Sequence, residues 1–174
     1  MIWLERGKLY DKIYCSSNLK IVFLNTERMI YIDRKEHNGA AGIQYPVAVR
    51  ILFDLPPGKE PKDKYVFGIY KEKGALIGVI DIVKDYKVPG EWIIGLLMID
   101  QKERAKRLGR TLHDLIKTWV SQEHGVALRI GVVEENKGAY KFWEKMGYAE
   151  LDRVKKNYGN KDQTVIIMNL SLDK

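Results

Sequence analysis

The chain carries a single cysteine, Cys15, in 174 residues. One thiol excludes an internal disulfide framework and a Cys-cluster zinc site, and it fits a reducing compartment such as the cytoplasm. No apolar run approaches the roughly 18 residues of a membrane-spanning helix. The longest, Trp92–Ile99, has the length of a strand, so no membrane partner is expected. Near the N-terminus Glu5 and Arg6 interrupt any signal-peptide core. Internal repeats, low-complexity tracts, a nucleophile elbow and a Walker-type loop are all missing. The three histidines, His37, His113 and His124, lack metal-ligand spacing, and no metal is expected. His113 falls with Lys106, Arg110 and Lys117 on one polar helical stripe, which predicts a surface position. Only five prolines occur, and Pro56, Pro57 and Pro61 crowd into one connection that reads as a loop.

What remains is the composition of a globular protein, 45% hydrophobic and 30% charged, with the length of one domain over residues 1–174. The first seventeen residues read as an N-terminal extension without a clear role. Thirty Lys+Arg against twenty-three Asp+Glu give a net charge of +7. That excess favours a polyanionic partner: nucleic acid, an anionic membrane or a phosphate-rich cofactor. Nucleic acid is disfavoured, because no aromatics interleave the basic cluster described below.

Leu19–Leu24 reads as a short strand, and Asn25 and Thr26 offer a cap for a helix to about His37, stopped by Asn38-Gly39. Tyr45–Phe53 reads as a second helical segment. Tyr65–Lys71 and Ala75–Val83 are β-branched runs around Glu72-Lys73-Gly74, a hairpin signal. Trp92–Ile99 is apolar throughout, as expected of a strand buried on both faces. Leu108, Leu112, Leu115, Ile116 and Trp119 recur at helical spacing, predicting a helix over 104–123 ended by Gly125. Ala127–Val133 reads as a strand, Asn136–Met146 as a helix closed by Gly147, and Val165–Leu172 as a last strand. A helix between Trp92–Ile99 and Ala127–Val133 requires a crossover, hence a parallel pair in a mixed sheet.

Two segments carry chemistry. Ile99-Asp100-Gln101-Lys102-Glu103-Arg104-Ala105-Lys106-Arg107-Leu108-Gly109-Arg110 ends a strand and opens a helix. Between Lys102 and Arg110 stand five bases and one acid, a local +4 that is over half of the chain's net charge. A basic helix start opposes the helix dipole unless an anion sits there, so the segment reads as a phosphate site. In Asn136-Lys137-Gly138-Ala139-Tyr140-Lys141-Phe142-Trp143, Asn136 is placed to cap a helix. Ala139, Tyr140 and Trp143 follow it on one face, and aromatics at that spacing are also what a core contains.

Together these segments resemble the GNAT superfamily of acetyl-CoA-dependent N-acetyltransferases, over roughly Tyr65 to Tyr148. The family's Gln/Arg-x-x-Gly-x-Gly/Ala signature is met by Arg104 and Gly109, with Arg107 in place of the first glycine. Its Asn-x-x-Ala-x-x-Phe/Leu-Tyr-x-x-x-Gly-Phe signature is met by Asn136, Ala139, Phe142, Gly147 and Tyr148, with Trp143 in the tyrosine position. The resemblance implies the acyl-CoA N-acyltransferase fold: an α/β (α+β) chain with a mostly antiparallel mixed sheet, one splayed parallel pair and helices on both faces. It implies that the acetyl-CoA diphosphate rests on backbone amides of Arg104, Ala105, Lys106, Arg107, Leu108 and Gly109, with Arg110 beside them. The pantetheine arm would pair near Met98, Ile99 and Asp100, and the thioester would lie where the strands part. Asn136 would contact the arm, Ala139 would leave room for it, and Trp143 would line it. Trp143 has no phenol, so Tyr140 is the substitute donor for the leaving thiolate, or water serves. The acceptor pocket would draw on residues 26–37 and 45–53 and on the loop before Trp92. The implied partners are acetyl-CoA and an amine, and a homodimer is compatible. A non-catalytic acyl-CoA sensor of the same fold is the alternative.

Attack on a thioester needs a neutral amine. At pH 7 neutralisation costs about 4.6 kcal/mol for a lysine-like amine and about 1 kcal/mol for an α-amine, so alkyl amines call for a base. The face of Ile93, Gly95, Leu97 and Ile99 has no titratable group. Glu91, at that strand's start, is the nearest carboxylate and the candidate base through a water; Asp81 is the other.

Overall fold

The computed structural model describes residues 12–15, 19–23, 54–71, 74–158 and 161–172. The two helices expected over 26–37 and 45–53 lie outside the described residues. Among the described residues there are eight strands: β1 (Lys12–Cys15), β2 (Leu19–Phe23), β3 (Lys64–Lys71), β4 (Leu76–Val83), β5 (Glu91–Ile99), β6 (Ala127–Val133), β7 (Ala149–Tyr158) and β8 (Lys161–Ser171). Two helices accompany them, α1 (Leu108–Gln122) and α2 (Lys137–Lys145). The chain divides into two compact units, Met1–Ile82 with Leu96–Lys106, and Val83–Gly95 with Arg107–Lys174.

In the first unit the strand order is β1-β2-β3-β4-β5. β1 pairs with β2 and β2 with β3, both antiparallel. The expected hairpin closes through Lys71 N–H donating to Ala75 O at 2.9 Å and Gly74 N–H to Lys71 O at 2.8 Å. Gly74 takes φ 88°, a left-handed value that glycine adopts without penalty. Ile69, Ile77, Val79, Ile80 and Ile82 form the buried centre. A Cβ on Gly78 would lie 2.6 Å from Met98 O and 2.8 Å from Ile69 Cδ1, so only glycine lets β4 come this close to its neighbour.

In the second unit the order is β5-β6-β8-β7. The expected parallel pair is present, running from Glu91↔Ala127 to Ile94↔Ile130. The register stops there, although β5 continues to Ile99 and β6 to Val133. β6 pairs antiparallel with β8 along its whole length, and β8 with β7. The sheet is thus mixed, mostly antiparallel, with one parallel pair. Burial of β5 departs from the expectation of a strand covered on both faces. Glu91, Trp92 and Ile94 are buried, Gly95 is exposed, and Leu96–Ile99 are half-exposed.

β7 escapes the sequence reading because it is an edge strand with a polar sequence. Its Arg153, Lys155 and Lys156 and a bulge between Glu150 and Asp152 are devices that keep an edge from pairing with another chain. α1 ends in a Schellman arrangement in which His124, not Gly125, takes the left-handed position at φ 63°. Gly125 N–H donates to Val120 O and His124 N–H to Ser121 O. Gly125 follows because a Cβ there would lie 2.3 Å from Val120 Cγ1.

Candidate active site

The junction after β5 is a braced turn. Asp100 Oδ1 accepts from Lys102 N–H at 2.8 Å, and a 3-10 turn covers Gln101–Glu103. Arg104 Nε donates to Ile99 O at 2.9 Å, folding the guanidinium back onto the end of β5. Glu103 bridges Lys71 Nζ at 2.5 Å and Lys106 Nζ at 3.2 Å. Those two cations hold its carboxyl below the usual carboxylate range, Lys71 foremost.

α1 then begins at Leu108, four residues later than the expected start at 104. The reason is backbone conformation: Ala105 and Arg107 have φ 62° and 61°, left-handed values that a helix cannot include. Arg107 is the N-cap and makes no side-chain cap hydrogen bond; the first turn holds no acid. The N–H groups of the first helical turn have no partner within the helix. In the same unit Arg107 and Arg110 are exposed, and in the other so are Lys102, Arg104 and Lys106. An uncapped, basic helix start leaves dipole and charge with the same sign, an arrangement that an anion relieves. Two backbone groups expected to meet a pantetheine arm are engaged already. Asp100 N–H donates to Ile77 O at 2.8 Å, and Ile99 O accepts from Arg104.

α2 shows what the second segment does locally. Asn136 Oδ1 accepts from Ala139 N–H at 3.0 Å, an N-cap that joins two residues of the motif. At the other end Gly147, at φ 94°, donates to Glu144 O, and Tyr148 N–H donates to Trp143 O. The Trp143 and Tyr148 rings meet at 5.2 Å, the apolar contact that completes a Schellman cap. Asn136 is exposed, and Ala139 and Tyr140 are half-exposed. Trp143 is buried, within a cluster of Phe142, Tyr148 and His113.

His113 corrects its expected surface position: it is 1% exposed. α1 buries it because the Trp143 and Tyr148 rings cover it at 5.9 and 5.5 Å. Among the described residues neither ring nitrogen has a hydrogen-bond partner, and the Tyr148 hydroxyl has none. Burial lowers the His113 pKa from its ordinary 6.5 and raises that of Tyr148. Asp114, 3.7 Å from Nδ1, opposes the shift, while Lys117 and Arg110 reinforce it. A histidine whose folded pKa is depressed contributes stability present above the unfolded value and lost as pH falls below it. Melting temperature is therefore expected to fall on acidification from about pH 7 to about pH 5, and His113→Phe to flatten part of that slope. An unchanged slope in His113→Phe would remove the histidine from the account.

The candidate bases are both paired. Glu91 is buried, and its Oε2 accepts from Arg129 Nη1 at 2.9 Å and Asn169 Nδ2 at 3.4 Å. Asp81 receives Lys64 Nζ at 3.0 Å, and the same ammonium donates to Asp54 O at 2.6 Å. Desolvation raises the Asp81 pKa, and the Lys64 hydrogen bond opposes that rise. Sequence reasoning named neither partner, because Arg129 and Lys64 lie 38 and 17 positions away along the chain.

A model of the acetyltransferase (GNAT) family matches residues 28–148, well over half of the chain. The chain belongs to the GNAT acetyltransferase family. No curated protein matches it. A GNAT-family acetyltransferase structure from Desulfovibrio desulfuricans is similar at 13% identity and TM-score 0.66, over 89% of this chain and 99% of that one. A spermidine N-acetyltransferase from Vibrio cholerae, solved with CoA and spermine, is similar at 14% and TM-score 0.65, over 90% and 97%. The ribosomal-protein-S18-alanine N-acetyltransferase of Escherichia coli is similar at 16% and TM-score 0.64, over 90% and 95%. At these identities the likeness is one of fold. GNAT membership makes the chain an acyltransferase catalysing N-acetyl transfer. Arg107, which stands at the place of the signature's first glycine, holds a left-handed position of the kind that favours glycine. Among the described residues no helix is long and apolar enough to cross a membrane.

Proposed function

We propose that this GNAT acetyltransferase, acting as one catalytic domain, moves the acetyl group of acetyl-CoA to a primary amine of a small molecule or peptide by direct attack. In that step the C–N bond forms, the thioester C–S bond breaks, the amine loses a proton and the thiol is released. The observation that carries the reading is the α1 start: uncapped, without an acid in its first turn, and preceded by two left-handed residues. The diphosphate of acetyl-CoA supplies the missing anion. The amides of Ala105–Gly109, with Arg107 and Arg110, are assigned to hold it. Exposed Asn136 and half-exposed Ala139 are assigned to the arm, and Trp143 to packing behind them. Thiol release from acetyl-CoA, followed with a panel of amines, tests the reading; tight CoA binding without turnover would mark a sensor instead.

Tyr140 stays the candidate donor to the leaving thiolate. For Glu91, the Arg129 pair favours an anchoring role over that of a base. Glu91→Gln is expected to cost about 1–3 kcal/mol of stability, since it weakens a charged hydrogen bond, and to keep the pH dependence of the rate. Loss of the acidic limb of that profile in Glu91→Gln would restore it as a base acting through water.

A further inference from the structure

We propose that Glu103 is a positioning residue for acetyl-CoA, bracing the phosphate-binding turn through Lys71 and Lys106 although its own charge repels the ligand. The inference rests on the reading that the turn binds the diphosphate. Two non-glycine residues in left-handed conformation, Ala105 and Arg107, lie within three positions of each other. Such backbone persists only where its surroundings over-determine it. The surroundings here are few and specific. Asp100 holds Lys102 N–H, Arg104 holds Ile99 O, and Glu103 fastens the turn to the β3 strand end through Lys71 and to its own next residues through Lys106. The Glu103 side chain is 14% exposed, the most covered member of its trio; Lys71 is 47% and Lys106 61% exposed. A carboxylate shared by two ammonium groups is a network rather than an isolated surface pair, which is the case in which exposed charges count.

This divides the basic cluster into two kinds. Arg104 and Lys106 spend hydrogen bonds inside the turn. Lys102, Arg107 and Arg110 have no side-chain hydrogen bond or ion pair among the described residues, and they are the charges left for a ligand. The local +4 of the sequence therefore overstates the number of cations offered to phosphate, and the lone acid of the cluster serves the site.

The two views of Glu103 predict opposite signs. If charge alone governs, Glu103→Gln removes a repulsive group and tightens binding. If bracing governs, Glu103→Gln and Lys71→Met each weaken it, by about three- to tenfold for the loss of a charged hydrogen bond. Isothermal titration of the full chain with CoA, with KM and kcat for acetyl-CoA alongside, reads the difference. The expected result is weaker CoA binding in both variants and a double variant no worse than the worse single one, since the two residues act as one strut. The cost should fall on KM for acetyl-CoA, leaving KM for the amine in place, which a general loss of stability would not do. Tighter binding or unchanged binding in Glu103→Gln overturns the proposal. Failure of the unaltered chain to bind CoA would instead overturn the assignment of the turn to the diphosphate.

Discussion

Arg107→Val is expected to weaken CoA binding about 10- to 100-fold, while Arg107→Gly stays within about fivefold of the parent. The reasoning is conformational. Arg107 stands at φ 61°, ψ 3° at the N-cap of α1. An unbranched side chain tolerates this region at modest cost, whereas valine there is an outlier because both γ-methyls crowd the backbone. Relaxing to negative φ would turn the amides of Leu108 and Gly109 away from their common direction. Glycine adopts the same conformation freely and forfeits only one cation. Titration with CoA at fixed salt measures both. Equal losses in the two variants would mean that the guanidinium, rather than the backbone it sits on, is what the ligand requires.

Trp92→Ala is expected to remove about 3–5 kcal/mol of stability, the cost of truncating a large buried aromatic. Trp92 is fully buried at the start of the parallel pair. Its ring meets Trp119 of α1 edge-on, with centroids 5.1 Å apart and planes at 85°. The pair couples the start of β5 to α1. Chemical denaturation of parent and variant gives the difference directly. A loss below about 1 kcal/mol would show that the site refills on truncation and that this contact does not hold the second unit together.

The parts of the fold read correctly from sequence are those whose determinants are local. β3, β4 and β5 announce themselves as β-branched runs bounded by turn residues. α2 carries its own cap at Asn136 and its own stop at Gly147. Where neighbours decide, the reading fails in definite ways. His113 is adjacent to Leu112 on α1, and only the packing of Trp143 and Tyr148 over it turns a polar-stripe residue into a buried one. β7 has the lysines and arginine of a solvent-facing edge and no apolar alternation, so nothing short of its pairing with β8 reveals it. α1 starts later than its apolar spacing suggests because alanine and arginine give no sign of left-handed backbone. The excess of positive charge at the start of α1 is legible, since it is visible in one dimension. The Glu103–Lys71 pair is not, because the two residues lie 32 positions apart along the chain.

The central claim is that the turn from Arg104 to Arg110 seats the diphosphate of acetyl-CoA. Backbone amide NMR of the intact chain, titrated with CoA, tests it most directly. The largest shifts are expected at Ala105–Arg110, saturating with the same Kd that calorimetry gives. Saturable shifts confined to another part of the chain, with these amides unmoved, would contradict it.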